Sequence, residues 1–338
     1  MPAELSPVDL SLAAVERPGT FSPRRARLVI VVLGVLAVAS IVAFMTYDLR
    51  GSLSFALELR ARKVAGMTLV GVSLGAATVM FHTITGNRIL TPSLMGFDAL
   101  YLMVQSLAAY TFGTFAFLAI DVRVRFGFEL LVMVGFALVL QRVFLRPASQ
   151  DIVALLLVGV VLAGMFRSLT QLVARLIDPN EYATLQDQFF ASFANVDEDL
   201  LRVAGAIVVV VLAVTWRWVG RLDVMALGRD SAVGLGVDHA RVADRTLVAV
   251  AVLVSVATAL VGPITFLGLL VSNLAYRLTG TFRHRYTIPA AGLAGVVAVV
   301  GAQFLLEELL EFQTRASMIV SFLGGLYFIV LLLREPRS

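Results

Sequence analysis

Chemistry-bearing side chains are scarce in this sequence, and their spacing excludes more than it offers. Histidines stand at 82, 239 and 284, far apart and outside any H-E-x-x-H arrangement, and cysteine is absent. Thiol catalysis, iron–sulfur ligation and Cys-based zinc sites therefore fall together. The three histidines read as structural residues, so no metal site is assigned. Lys63 is the single lysine, and Arg62 precedes it. A phosphate-binding P-loop needs lysine after glycine, so that the ammonium reaches the terminal phosphates while glycine amides cradle them. No such site is present, no cofactor is expected, and any ATP hydrolysis falls to another subunit. One polar set does have a pattern. Arg167, Gln171 and Arg175 recur at i, i+4 and i+8 and share one helical face.

The elements that must carry these residues are apolar. Of 338 residues, 59% are hydrophobic and 15% charged, against ~45–50% and ~25% in an ordinary soluble domain. Mean hydropathy is +0.91. A soluble fold of this composition would expose large apolar patches, and disorder needs the opposite balance. The net charge of +4 and pI of about 9.7 do not signal nucleic acid, because the basic residues are spread between apolar runs rather than gathered in a stripe. An all-α, polytopic membrane protein is expected, with about ten transmembrane helices over 28–46, 64–85, 97–119, 127–145, 151–177, 200–219, 243–261, 264–279, 287–310 and 317–334. Gly262-Pro263 interrupts the start of the eighth, as where helices meet inside a protein.

Residues 1–27 form a separate stretch. Pro2, Pro7, Pro18 and Pro23 read as helix breakers and Arg24, Arg25 and Arg27 precede the first span, so a disordered cytoplasmic tail followed by one transmembrane domain, 28–338, is expected. The positive-inside rule places both termini in the cytoplasm, with Arg217, Arg221, Arg229, Arg241, Arg245, Arg277, Arg283 and Arg285 on the same side. The Arg60–Lys63 cluster runs against that bias. The fifth connection, carrying Asp178, Glu181, Asp187, Asp197, Glu198 and Asp199, reads as an acidic, solvated outer surface. Gly71 and Gly75 form a G-x-x-x-G pair for close helix approach, and Ala163, Gly164, Gly292, Gly295, Gly324 and Gly325 are assigned to packing as well.

The most informative connection is the cytoplasmic loop 220–242, long for a helix connection. Within Leu227-Gly-Arg-Asp-Ser-Ala-Val-Gly-Leu-Gly236, residues 230–235 fit a short helix bounded by Gly228 and Gly236. Locally the pattern also fits an ordinary surface loop. However, Leu227-Gly228, Ala232 and Leu235-Gly236 resemble the L-G-x-x-x-A-x-x-L-G signature of the FecCD/BtuC-like permeases, the membrane subunits of ABC importers for iron–siderophore complexes and cobalamin. Gly262-Pro-Ile-Thr-Phe-Leu-Gly-Leu269 is similar to that family's G-x-I-x-F-x-G-L block. Arg277, His284-Arg285 and Pro289 match its continuation, and Asn87, Pro92 and Gly96 match an upstream turn. The matches run in family order from about residue 60 to 334. Ser272-Asn273 replaces the family's Pro-His pair, and Arg229 replaces an acidic residue.

The resemblance implies a permease subunit of an ABC importer in the cytoplasmic membrane of a bacterium, carrying a ferric siderophore, in the branch that often takes catecholates. It implies a cytoplasmic ATPase dimer, a second permease subunit, like or unlike, an extracytoplasmic siderophore-binding protein, and surrounding membrane lipid. Leu227, Gly228, Arg229, Asp230, Ala232, Leu235 and Gly236 would form the element seated on the ATPase. Arg60 and Lys63 would meet acidic residues of the binding protein, or reach as interfacial charges toward the headgroups; Glu307-Glu308 and Glu311 stand where the family has a basic residue. Arg167, Gln171, Arg175 and Asn273 would border the translocation path, where guanidinium groups suit an anionic chelate. Against that, Arg175 reaches outward and Arg167 pairs with a buried neighbour such as Glu129 or Asp98. The alternatives are a BtuC-like importer of another chelate, cobalamin or haem, and a secondary transporter driven by an ion gradient. The latter wants carboxylates in mid-membrane, whereas Asp98 and Glu129 lie near expected span ends.

Overall fold

Helix overlies every span expected from the apolar runs, but the helices do not stop where the apolar residues do. A computed structural model describes residues 22–48, 52–144, 152–186, 189–194, 196–309 and 316–334, and all regular structure among them is helical. The first helix, α1 (Pro23–Thr46), begins within the stretch expected to be a tail. Ser22 caps it by accepting from the Arg25 N–H, and Pro23 takes the first turn, where its missing N–H leaves no bond unmade. Pro23 therefore starts the helix it was expected to break. The rest of the expected tail, residues 1–21, lies outside the described residues.

Helix α2 (Leu53–Thr85) starts eleven residues before the apolar span. Its 33 residues rise roughly 50 Å, longer than the ~30 Å hydrocarbon core. Glu58, Arg60, Arg62 and Lys63 ride on its early turns, so the cluster that opposes the charge bias is a helical extension rather than a loop.

After the 3-10 turn Pro92–Met95 come α3 (Phe97–Phe112) and α4 (Thr114–Ala119), the expected third span broken at Gly113. Then follow α5 (Val122–Phe144), α6 (Ile152–Ala174), α7 (Pro179–Gln186), α8 (Glu198–Trp216), α9 (Val219–Met225), α10 (Arg229–Gly234) and α11 (His239–Val261). The chain ends with α12 (Leu267–Thr279), α13 (His284–Phe304), a π turn Leu305–Leu309, and α14 (Ala316–Arg334). Among the described residues, seven helices are long and apolar enough to cross a membrane: α1, α2, α5, α6, α8, α11 and α13 with its π turn. Two other expected spans are shorter. Gly113 divides the third and the break 262–266 leaves α12 with 13 residues, whereas α14 covers the whole of the last expected span.

The core is α2 between α11 and α13. In their apolar windows 78% of α2, 67% of α11 and 56% of α13 is buried, against 17% of α1 and 22% of α6 and α8. Lipid tails supply no hydrophobic drive between helices, so close packing must hold them. Gly71 lies against the Gly295 and Val296 backbone and Gly75 against Ala291, with no room for a side chain between. Gly324 likewise meets Phe266. Gly164 does not share this role: open space surrounds it, because it lies on the exposed side of α6.

A Cβ at Gly71 would sit 2.6 Å from the Gly295 carbonyl carbon and the Val296 nitrogen, both rigid backbone atoms. Gly71→Ala should therefore destabilise the chain by about 1–3 kcal/mol. Gly164→Ala should be neutral. Thermal unfolding in detergent checks both, and equal melting temperatures for the two variants would contradict this packing.

Candidate functional site

Two features stand apart from the packed core: the segment between α8 and α11, and the exposed face of α6. The first is an ordered unit. Leu222, Met225 and Ala232 are buried and fix α9 and α10 to the body. Hydrogen bonds from Ala226, Leu227 and Gly228 back to Leu222, Val224 and Met225 continue the turn after α9, and Ala232 N–H then donates to Gly228. The far end closes as a Schellman motif, with Val237 N–H on Ala232 and Gly236 N–H on Val233. Asp238 then caps α11 by accepting from Arg241 N–H at 3.1 Å.

The expected short helix is present, bounded as the glycines implied. Gly228 has φ 95° and ψ 162°, a region essentially confined to glycine, and this lets the chain turn from α9 into α10. Around it Leu227, Val233 and Leu235 stand 53%, 57% and 64% exposed. Arg229 and Asp230 are exposed on the first turn of α10. The unit thus shows an apolar, charge-edged knob, of the kind that forms the centre and rim of a protein interface.

Sequence reasoning missed α9 and what fastens it. Asp223 Oδ1 accepts from both the backbone N–H and Nδ1 of His284, each at 2.7 Å. His284 opens α13, so the carboxylate also faces the positive end of that helix. On its other side, His284 Nε2 lies 2.5 Å from Thr83 Oγ1 on α2. These partners are 61 and 201 residues from His284 in sequence, so no local spacing reveals them.

On α6, Ala163, Phe166 and Thr170 are buried, while Arg167 and Gln171 lie on the exposed side and Arg175 is exposed in the turn just past the helix end. The buried face rests on α3 and on the Pro92–Met95 turn, where Gly159 meets the Met95 backbone. Of the two partners suggested for Arg167, Asp98 lies near enough to interact with it electrostatically, though no ion pair within 4 Å forms among the described residues. Glu129 accepts from Gln105 at 2.7 Å and Asp98 from Thr265 at 3.1 Å. Glu129 also lies two turns inside α5, not at its end, because that helix starts at Val122. Asn273 does not join the line: it is 7% exposed, and its amide donates to the Arg88 and Leu269 carbonyls, each at 3.0 Å.

Arg60 and Lys63 have partners within the chain. Arg60 donates to the Phe44 and Tyr47 carbonyls at 2.6 Å, closing the end of α1. Lys63 pairs with Glu307 on the π turn at 2.8 Å, half-buried, and Gln303 also donates to that carboxylate. Acidic residues expected to be simply solvated also do structural work: Asp197 caps α8, Glu181 accepts from the Thr114 N–H at the start of α4, and Asp199 pairs with Arg123.

Because Gly228 has open space around it, its cost of substitution comes from backbone conformation alone. Gly228→Val should impose about 1–3 kcal/mol of local strain. Hydrogen exchange of amides 226–237 should then accelerate while the α2–α13 core stays protected. Unchanged exchange at those amides would contradict the assignment.

Comparison with known proteins agrees with this architecture. Residues 28–334 match the family model of the FecCD transport family. The petrobactin import system permease protein YclO of Bacillus subtilis (strain 168) is 43% identical over 303 residues, covering 90% of this chain and 96% of the relative. The ferric enterobactin transport system permease protein FepD of Escherichia coli (strain K12) is 30% identical, covering 82% and 81%. A solved chain of a metal-chelate type ABC transporter in an inward-facing conformation superposes with a TM-score of 0.76 at 21% identity, over 91% of this chain and 99% of that one. With three sequence blocks in family order and a family model matched over nearly its whole length, the chain belongs to the FecCD transport family.

Proposed function

We propose that the chain is the permease subunit of an ABC importer that passes a ferric siderophore inward across the bacterial cytoplasmic membrane. The observation that carries this reading is the exposed line of Arg167 and Gln171 on a helix otherwise fit for lipid, continued by Arg175 just past its end. Hydrocarbon does not tolerate such a face, so a water-filled passage or a second permease subunit must cover it. Two forked guanidinium groups on that face suit an anionic iron chelate. The two relatives named above, one serving petrobactin and one enterobactin, support this substrate class. In this reading ATP hydrolysis belongs to a separate subunit and the chain supplies the path.

Power enters from outside. Segment 227–236 is the seat of a cytoplasmic ATPase: Leu227, Val233 and Leu235 fill its groove while Arg229 and Asp230 set the register. Both termini then lie in the cytoplasm, and the π-turn end of α13, with Arg60 and Lys63, faces the siderophore-binding protein. Cargo and nucleotide drive transport because they favour different conformations of the same permease pair.

Cells complemented with this chain should accumulate iron-loaded petrobactin only when the partner ATPase is present. Asp230→Lys should cut uptake about tenfold at normal chain abundance. Uptake that survives loss of the ATPase and collapses with the proton gradient would instead indicate an ion-driven carrier. Binding-protein association should weaken as salt rises, and Arg60→Glu/Lys63→Glu should remove that dependence. Salt-independent affinity of the unaltered chain would overturn the docking assignment.

A further inference from the structure

A knob that receives a push is useful only if something stiff carries the push inward. Within the described residues the knob meets the core along two routes, directly onto α11 and through α9, and Asp223 is the polar anchor of the second. The Asp223 carboxylate can only accept, so His284 Nδ1 carries a hydrogen toward it. His284 is 1% exposed and reaches Thr83 with its other nitrogen. One buried ring therefore ties α9 to α13 and α2, the two helices locked together at Gly71 and Gly295. The hydrogen bonds are short and directional, and they set an orientation that the apolar contacts of Leu222 and Met225 alone do not.

We propose that His284 is the positioning residue that couples the α9–α10 unit to the core, so that displacement of the knob moves α2 and α13 with it. This rests on the reading of 227–236 as the ATPase seat. The ring transfers no proton in this role; its task is to hold three elements in one register.

The test uses the complete importer in lipid vesicles, with its ATPase, binding protein and iron-loaded petrobactin. Chelate moved per ATP hydrolysed is compared among the unaltered chain, Asp223→Ala, Thr83→Val and His284→Ala. Each variant should still co-purify with the ATPase and hydrolyse ATP, but the ratio should fall about tenfold. Asp223→Asn, which keeps an accepting oxygen, should restore most of it. Because the chain has no cysteine, spin labels at Ala226→Cys and Arg285→Cys report the gap between the unit and α13 directly. That distance should stay narrow and constant with and without nucleotide, and broaden with nucleotide in Asp223→Ala. Thr83→Val, nearly isosteric, guards against simple misfolding. An unchanged ratio, an unchanged distance in Asp223→Ala, loss of ATPase binding in the variants, or no rescue by Asp223→Asn would each overturn the joint. Failure of the ATPase seat itself would show differently, as Asp230→Lys without effect on the unaltered background.

Discussion

Hydrocarbon cannot solvate a guanidinium, and that constraint decides how the chain must be surrounded. Two peripheral helices obey it in opposite ways. The exposed side of α1 carries Leu28, Val31, Val35, Val38 and Val42, all apolar, and needs nothing beyond lipid. The exposed side of α6 carries Leu157, Val161 and Met165 too, but Arg167 and Gln171 interrupt it and Arg175 follows just past its end. On the proposed reading, a water-filled passage or a neighbouring subunit covers this polar line.

The remaining structure serves to make that face rigid and to give it a handle. Lipid offers helices no reason to associate, so contact must come from backbones that approach closely, as at Gly71 against Gly295 and Gly75 against Ala291. The buried trio α2, α11 and α13 then acts as a body on which others are mounted. Helix α6 sits on the Pro92–Met95 turn, and α9 with α10 is fixed by Leu222, Met225, Ala232 and the Asp223–His284 contact.

What the sequence disclosed and what it hid separate along a physical line. Apolar runs announce spans, and glycines in left-handed conformations announce the ends of α10, since both signals are local. The start of α2 was hidden because its early turns are charged, and charge reads as loop even where helix continues past the membrane. Pro23 was misread because proline is a breaker within a helix and a fitting residue at its first turn. Long-range pairings leave no spacing at all. Lys63 with Glu307, Asp223 with His284, and the Asn273 amide on the Arg88 carbonyl emerge only when the chain is folded. Asn273 in turn is buried, away from the exposed arginines beside which the resemblance sets it.

The decisive question is whether the α6 face meets water or lipid in the assembled importer. Single cysteines at Gln171 and at Val35, in a chain with none of its own, can be challenged in membranes with a water-soluble, membrane-impermeant maleimide. Gln171→Cys should be modified, at a rate that changes with nucleotide, while Val35→Cys stays unmodified until detergent is added. If both positions are equally inert in every nucleotide state, the polar line borders no passage and the account is wrong.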